Sequence, residues 1–133
     1  MRADLHHVHV FASDLDASVA WWRDMLQGEV AFDGDFGGSR NVFMRVGKGR
    51  LHLYQQKPRG APGGAVHHVG IQCRDLQALV AHMKEKGAGF RSDIREFGSW
   101  RYIMCAAPDH VLLELFETDI DAMPPALAEY FGG

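Results

Sequence analysis

The sequence has little of what marks several special protein classes. Among its 133 residues are two cysteines, Cys73 and Cys105, which are too few for a disulfide framework and favour a reducing cytoplasm. No apolar run approaches the roughly 18–20 residues of a membrane helix, so we expect no membrane partner. The net charge is −3, and this predicts no nucleic-acid partner, because nucleic-acid-binding domains usually carry a basic surface.

Apolar residues and histidine, by contrast, are plentiful. Hydrophobic residues make up 47% and aromatic residues 11% of the chain, which is enough for the core of one globular domain and excludes a disordered chain. Eight residues are histidines, an unusual number for a chain of this length. The function that the sequence predicts depends mainly on where these histidines lie.

The chain contains an internal repeat of about sixty residues, the signature of a duplicated unit. The segment LHHVHV at residues 5–10 recurs as VHHVGI at residues 66–71, and Asp14-Leu15 recurs as Asp75-Leu76. Both pairs are separated by the same offset, from 5 to 66 and from 14 to 75. Near the end of each half, LHLY at residues 51–54 matches LELF at residues 113–116 with one inserted residue. The order of these blocks indicates duplication.

Each half is predicted to fold as a βαβββ module. An opening strand is followed by a helix that begins near a capping aspartate and ends near a glycine. Module 1 is expected at about residues 4–56, a hinge at 57–65, module 2 at about 66–118, and a C-terminal helix at about 119–131. After each helix, three strands are predicted near residues 30–32, 41–46 and 50–55, and near 89–92, 101–105 and 111–116.

The alternation of side chains along these strands brings four candidate metal ligands to one face. Leucines and valines should pack on the helices, which leaves His7, His52, His68 and Glu114 on the opposite side. Three imidazoles and one carboxylate suit one divalent metal ion, such as Zn, Ni, Co, Mn or Fe(II). We therefore expect an α+β fold in which two tandem βαβββ modules form a curved, partly open mixed β-sheet around a metal-binding cleft.

Five further residues are candidates for the chemistry around such a metal. His9 lies two positions after His7 on the same face, and it either shuttles a proton at neutral pH or supports a metal ligand by hydrogen bonding. Tyr54 and Tyr102 are candidate donors to a developing oxyanion, packed tyrosines being the alternative. Arg40 and Arg101 start equivalent strands and are candidates to bind a substrate carboxylate or phosphate, solvated arginines being the alternative.

These motifs resemble those of the vicinal oxygen chelate superfamily, which includes glyoxalase I, epimerases, fosfomycin- and bleomycin-resistance proteins and extradiol dioxygenases. The resemblance rests on the two opening blocks with their Asp-Leu pairs and on APDHVLLEL at residues 107–115, and it covers about residues 4–117. In that superfamily each opening strand and each closing strand supplies a metal ligand. The resemblance thus implies the same set, His7, His52, His68 and Glu114.

One position departs from the family pattern. In glyoxalase I and in methylmalonyl-CoA epimerase, both of this superfamily, the position equivalent to His52 typically holds Glu or Gln. A histidine there makes the site more positive and removes a possible carboxylate base. This speaks against a strict lactoylglutathione lyase. In the alternative arrangement His52 does not bind the metal, and His7, His68 and Glu114 form a two-histidine, one-carboxylate triad. The sequence leaves both arrangements open.

The resemblance implies a metal-dependent, glyoxalase-like enzyme. It would chelate a small oxygen-bearing substrate and catalyse proton transfer, isomerisation or lyase chemistry through a metal-stabilised enolate. One alternative is an Fe(II)-dependent extradiol-type dioxygenase, and another is a non-catalytic protein that binds a drug or another small molecule. Relatives often form dimers, so we expect a homodimer, with the modules paired within one chain or exchanged between two chains.

Overall fold

A computed structural model describes residues 5–59 and 66–132. The described residues divide into two compact units, one of residues 5–59 with Ala107–His110 and one of residues 66–106 with 111–132. Each unit holds one four-stranded mixed sheet with a helix, and the predicted α+β fold of two βαβββ modules is confirmed. Of the predicted hinge at 57–65, residues 60–65 lie outside the described residues. None of the described helices is long and apolar enough to cross a membrane.

The first module builds a sheet in the strand order β1-β4-β3-β2. Strand β1 pairs with β4 in parallel, and the other neighbours are antiparallel. Its elements are β1 (Val8–Ala12), helix α1 (Leu15–Leu26), β2 (Glu29–Phe36), β3 (Ser39–Val46) and β4 (Gly49–Gln55).

The second module repeats this topology in the strand order β5-β8-β7-β6, again with the opening and closing strands parallel. A short 3-10 turn at Pro108–His110 joins its last two strands, and another at Ile120–Ala122 follows them. The elements are β5 (Val69–Gln72), helix α2 (Leu76–Glu85), β6 (Arg95–Phe97), β7 (Trp100–Ala107), β8 (Val111–Thr118) and helix α3 (Pro125–Gly132).

The two sheet helices begin in the same way, as the repeat predicts. Asp14 accepts a hydrogen bond from the Ala17 amide and Asp75 accepts one from the Ala78 amide, each at 3.0 Å. Both are N-caps that satisfy an amide without a partner inside the helix. The first amide of each helix also has a hydrogen-bond partner. The Leu15 amide of α1 donates to Gln55 Oε1, and the Leu76 amide of α2 donates to Glu117 Oε2.

The core of each module lies between its helix and the helix-facing side of its sheet. Two alternating leucines are buried at the centre of β4 and two at the centre of β8, and the helix of each module presents an apolar stripe at spacings of three and four. Gly28, after α1, is tightly packed, since a Cβ there would lie 3.0 Å from Met44 Cε and 3.1 Å from the Trp22 carbonyl oxygen. The buried stripes consist of Leu15, Val19, Trp22 and Met25 on α1 and of Leu76, Val80 and Met83 on α2.

Two predicted elements were wrong in position. The strand expected near residues 89–92 is absent, and β6 lies at Arg95–Phe97 instead, because the two-residue turn Gly98-Ser99 pairs Phe97 directly with Trp100. The C-terminal helix begins at Pro125 rather than near 119. Pro125 is the first residue of the helix, a position that favours proline. Met123 precedes Pro124, and a residue before a proline avoids the helical conformation, so Met123 is extended.

Candidate functional site

A row of rings crosses the first sheet on the face opposite α1. His9 of β1 is paired with His52 of β4, His52 with Phe43 of β3, and Phe43 with Phe32 of β2. The His52 ring stacks on both neighbours, with ring centroids 4.1 Å from His9 and 4.3 Å from Phe43. The strand register therefore holds the His52 imidazole between two parallel rings.

His7 lies next to this row but not within a strand. It was expected inside the opening strand, whereas β1 begins at Val8, where the pairing with Leu51 starts. Its ring centroid is 6.0 Å from that of His52, and its Nδ1 is 3.0 Å from His6 Nδ1. The first unit thus places His7, His9 and His52 together.

His52 has a hydrogen-bond partner that the sequence analysis missed. Its Nε2 lies 2.6 Å from Oδ1 of Asn41, a residue that is only 5% exposed. The Asn41 amide nitrogen donates to the carbonyl oxygens of Phe36 and Ser39, each at 3.0 Å. Asparagine is a poor strand former, and its place in a strand, two residues before Phe43, was the signal that could have identified it.

Burial and neighbouring histidines change the acidity of His52. Desolvation is the main cause that lowers its pKa below the ordinary value, and the charges of His9 and His7 lower it further. A proton on His52 would be poorly solvated and would face two rings that can also carry positive charge. The neutral form of His52 is therefore favoured at neutral pH, as a metal ligand requires.

The second unit repeats this geometry with different side chains. Glu114 of β8 is paired with Gly70 of β5, the position equivalent to His52 opposite His9. His68 precedes β5, which begins at Val69 rather than before His68 as expected, and its Nδ1 is 2.8 Å from His67 Nδ1. The pairs His6-His7 and His67-His68 therefore adopt the same arrangement.

An aromatic cluster lies beside Glu114 on the second sheet. Phe116, two residues after Glu114, stacks on Trp100 with centroids 4.4 Å apart, and Phe131 of α3 meets Trp100 edge-on at 4.9 Å. Gln72 Nε2 donates to the Phe131 carbonyl oxygen at 2.8 Å. Helix α3 thus packs on the same sheet as Glu114, which the sequence did not predict.

The two candidate tyrosines have different surroundings. Tyr54 is half-buried and lies near the His9 ring, with centroids 6.4 Å apart, and near Phe11 at 6.3 Å. Tyr102 is also half-buried but belongs to the second unit, where it is paired with Arg95 at the β6–β7 hairpin. Tyr54 therefore joins the histidines of the first unit, and the role of each tyrosine stays a prediction.

Both candidate substrate arginines form ion pairs within their own units. Arg40 binds Asp33 at 2.8 Å and Asp16 at 2.9 Å, and its hydrogen bond is the main cause that holds the pKa of Asp33 below its usual value. Arg101 contacts Glu117 at 2.5 Å and Glu96 at 3.2 Å. Their role in substrate binding stays a prediction, and it would require them to exchange these partners.

Over residues 5–59 and 66–132, no group of three His, Cys, Asp or Glu side chains is close enough to hold a metal ion. Two of the four candidate ligands, His7 and His52, lie in the first unit, and the other two, His68 and Glu114, lie in the second. The complete ligand set therefore stays a prediction.

The motifs and the module topology agree with a known family. Residues 4–115 match the model of the Glyoxalase/Bleomycin resistance protein/Dioxygenase superfamily. The chain belongs to this superfamily. The resemblance noted from the sequence is thereby confirmed over most of the chain.

Relatives within the superfamily differ in activity. The chain is 27% identical over 99 residues to an ethylmalonyl-CoA/methylmalonyl-CoA epimerase of Cereibacter sphaeroides, covering 66% of this chain and 74% of the relative. The fold of this chain is similar to that of a variant of the fosfomycin resistance protein FosX from Listeria monocytogenes, which was crystallised with Mn(II) and 1S,2S-dihydroxypropylphosphonic acid. The TM-score is 0.74 and the identity 17%, over 92% of this chain and 97% of that chain.

A third similar structure is a glyoxylase/bleomycin resistance protein/dioxygenase domain from Frankia sp. EAN1pec. It has a TM-score of 0.69 and 17% identity, over 90% of this chain and 100% of that chain. At these identities the two structures establish the fold of the superfamily member and leave its reaction open.

Proposed function

We propose that this superfamily member is a metal-dependent isomerase that moves a proton at a carbon next to a carbonyl group. Its substrate would be a small molecule with two neighbouring oxygens. The observation that carries the proposal is the matched placement of His52 and Glu114, each opposite the same position of a parallel opening strand. The similarity to an epimerase favours an isomerase over a lyase.

The residues that would hold the metal are His7, His52, His68 and Glu114. Imidazole and carboxylate donors fit Zn, Ni, Co, Mn or Fe(II). Within the first unit, the rings of His7 and His52 have centroids 6.0 Å apart. When bound, the metal would supply a positive charge that stabilises negative charge on the substrate oxygens.

His9 is the group we propose to move the proton. It stacks on His52, a proposed ligand, and lies near Tyr54, but it does not itself belong to the proposed ligand set. An imidazole ring can both accept and donate a proton through its nitrogens, which is the chemistry that this step requires. Tyr54 and Tyr102 would donate hydrogen bonds to substrate oxygens, and Arg40 and Arg101 would bind an anionic substrate group.

The proposal is tested by metal analysis and by proton exchange. The chain, purified without a histidine tag, should hold about one divalent metal ion. In D2O it should introduce deuterium at the α-carbon of an alkylmalonyl thioester, the substrate class of the epimerase relative, and lose this activity on chelation. Glu114→Gln should abolish exchange and metal retention. The matched control is Glu85→Gln, which changes an exposed glutamate of α2.

Three outcomes would contradict the isomerase. A chain that takes up none of the five metals refutes the metal site. Activity on a catechol that requires Fe(II) and oxygen favours the dioxygenase instead. Ligand binding that is unchanged in His68→Ala, with no exchange on any thioester, favours a binding protein.

We also propose that the enzyme is a cytoplasmic homodimer. The proposal rests on the expectation for the superfamily and on the two free cysteines. Light scattering after size-exclusion chromatography should give about twice the mass of one chain, since closed twofold dimers are the commonest oligomers. A single-chain mass at micromolar concentration would contradict it.

A further inference from the structure

The His52 imidazole is restrained on three sides. Phe43 covers one ring face and His9 the other, with planes within 13° of parallel in both stacks. At the ring edge, Nε2 meets Asn41 Oδ1 at 2.6 Å. The ring is thus held in one plane, and the remaining question is which nitrogen carries the proton.

The contacts of Asn41 answer that question. Its amide group faces two carbonyl oxygens, those of Phe36 and Ser39, and only the NH2 end can donate to them. The amide oxygen is therefore the atom that faces His52, and an amide oxygen accepts hydrogen bonds but cannot donate them. His52 Nε2 must donate, so the neutral ring carries its proton on Nε2 and its lone pair on Nδ1.

We propose that Asn41 is a positioning residue that fixes His52 as the Nε2–H tautomer, so that His52 binds a metal ion through Nδ1. The claim that His52 binds a metal ion through Nδ1 rests on the proposed function, whereas the claim that Asn41 fixes the Nε2–H tautomer does not. Asn41 is the only asparagine in the chain. Burying its amide is costly unless the hydrogen bonds are formed, and here the three contacts with Phe36, Ser39 and His52 compensate.

The arrangement has a physical consequence for ligand binding. Histidines that bind metals usually donate their other N–H to a carbonyl or carboxylate, which fixes the ring and makes the ligating nitrogen more basic. Removing such a partner typically weakens metal binding about 10–100-fold. Asn41 would therefore determine the ligating atom of His52 without itself touching the metal or the substrate.

Two variants separate the contact to His52 from the contacts to the β2–β3 hairpin. Asn41→Asp keeps an oxygen that can accept from His52 but loses the NH2 group that bridges Phe36 and Ser39. Asn41→Leu removes both kinds of hydrogen bond while it keeps the same branching and the same number of non-hydrogen side-chain atoms. If Asn41 acts on His52, Asn41→Asp should behave like the parent chain in the His52 measurements and Asn41→Leu should not.

The readout is the tautomer of His52 in long-range ¹H–¹⁵N spectra of the metal-free chain at about pH 8, where imidazoles are neutral. The parent and Asn41→Asp should show a protonated Nε2, and Asn41→Leu should show a mixture of tautomers. Titration with Zn(II) should then shift Nδ1 of His52. The zinc Kd should rise about 10–100-fold in Asn41→Leu and little in Asn41→Asp.

The outcomes separate this inference from the proposed function. An Nδ1–H tautomer in the parent, or zinc bound through Nε2, overturns the inference while the metal site stands. A parent chain with His52 as Nε2–H that binds no zinc overturns the metal site and leaves the role of Asn41 on the tautomer supported. If Asn41→Leu fails to fold, the parent and Asn41→Asp spectra still decide the tautomer.

Discussion

The imidazole of His9 stacks directly on that of His52, with ring centroids 4.1 Å apart and planes 13° from parallel. Two histidines in this position cannot both carry a proton without mutual repulsion, and burial adds to the cost for His52. A charge on His9 therefore opposes the protonation of His52. This contact makes the protonation of His52 unfavourable in the folded first unit.

The stability of the chain should decrease as the pH falls through the range in which His52 titrates. The folded state lowers the pKa of His52, so the unfolded chain takes up this proton first, near pH 6.5. The contribution of His52 to the unfolding free energy is thus complete above about pH 6.5. It is lost as the pH falls through the lower pKa that His52 has in the folded chain. Urea unfolding of metal-free protein across this range measures it.

A His52→Gln variant serves as the reference, because it cannot titrate at this position. The difference in unfolding free energy between the parent and this variant should be constant above about pH 7.5 and change below pH 6.5. In His9→Gln, which removes one positive neighbour, the pKa of His52 should rise. If the unfolding free energies of the parent and of His52→Gln had the same pH dependence, the lowered pKa of folded His52 would be contradicted.

Asp109 should stabilise the turn that precedes β8. Its backbone and that of His110 are both left-handed, with φ of 62° and 61°, which costs energy for residues other than glycine. Asp109 accepts hydrogen bonds from the Ser13 amide, at 3.1 Å, and from the Ser13 hydroxyl. We expect Asp109→Ala to lower the unfolding free energy by about 1–2 kcal/mol.

Denaturant unfolding of this variant is compared with Asp93→Ala, which removes an exposed aspartate and should change stability by less than about 0.5 kcal/mol. Asp109→Asn keeps one acceptor oxygen and should lie between the two. Equal losses in Asp109→Ala and Asp93→Ala would show that the contact with Ser13 contributes nothing.

The two N-caps should contribute equally, since they are repeated in geometry. Asp14→Ala and Asp75→Ala each remove a 3.0 Å hydrogen bond to a helix amide and should cost about 1 kcal/mol. Asn can replace Asp as a cap, so Asp14→Asn and Asp75→Asn should restore most of the stability. Thermal unfolding measures all four variants. A loss confined to one helix would show that the duplicated caps have become unequal.

Both cysteines should react slowly with alkylating reagents at neutral pH. Burial raises the pKa of the Cys73 thiol to about 11, with a further contribution from the carboxylates of Glu117 and Asp75, and burial also raises that of Cys105 to about 11. We expect iodoacetamide to label the native chain about tenfold or more slowly than the urea-unfolded chain, because the thiolate is the nucleophile. Mass spectrometry follows the labelling, and rapid native labelling of Cys73 would contradict it.

The repeat made most of the fold predictable. Equivalent blocks at one offset specified two βαβββ modules, and the capping aspartates and leucine alternation located the helices and closing strands correctly. Predictions were less accurate where two-residue turns decide the pairing, as at Gly98-Ser99, and where prolines delay a helix, as at Pro125. Such positions depend on one or two residues rather than on a periodic pattern.

Candidate ligands could be identified from strand alternation, but their surroundings could not. The sequence by itself determined that His52 and Glu114 occupy equivalent positions of two parallel strand pairs, because side chains alternate along a strand with a period of two. Only the tertiary structure decided that Asn41 meets His52, that Arg40 and Arg101 are paired with carboxylates, and that Phe131 packs on Trp100. These contacts join residues on neighbouring or distant elements, and their rotamers depend on local packing and charge that no sequence period encodes.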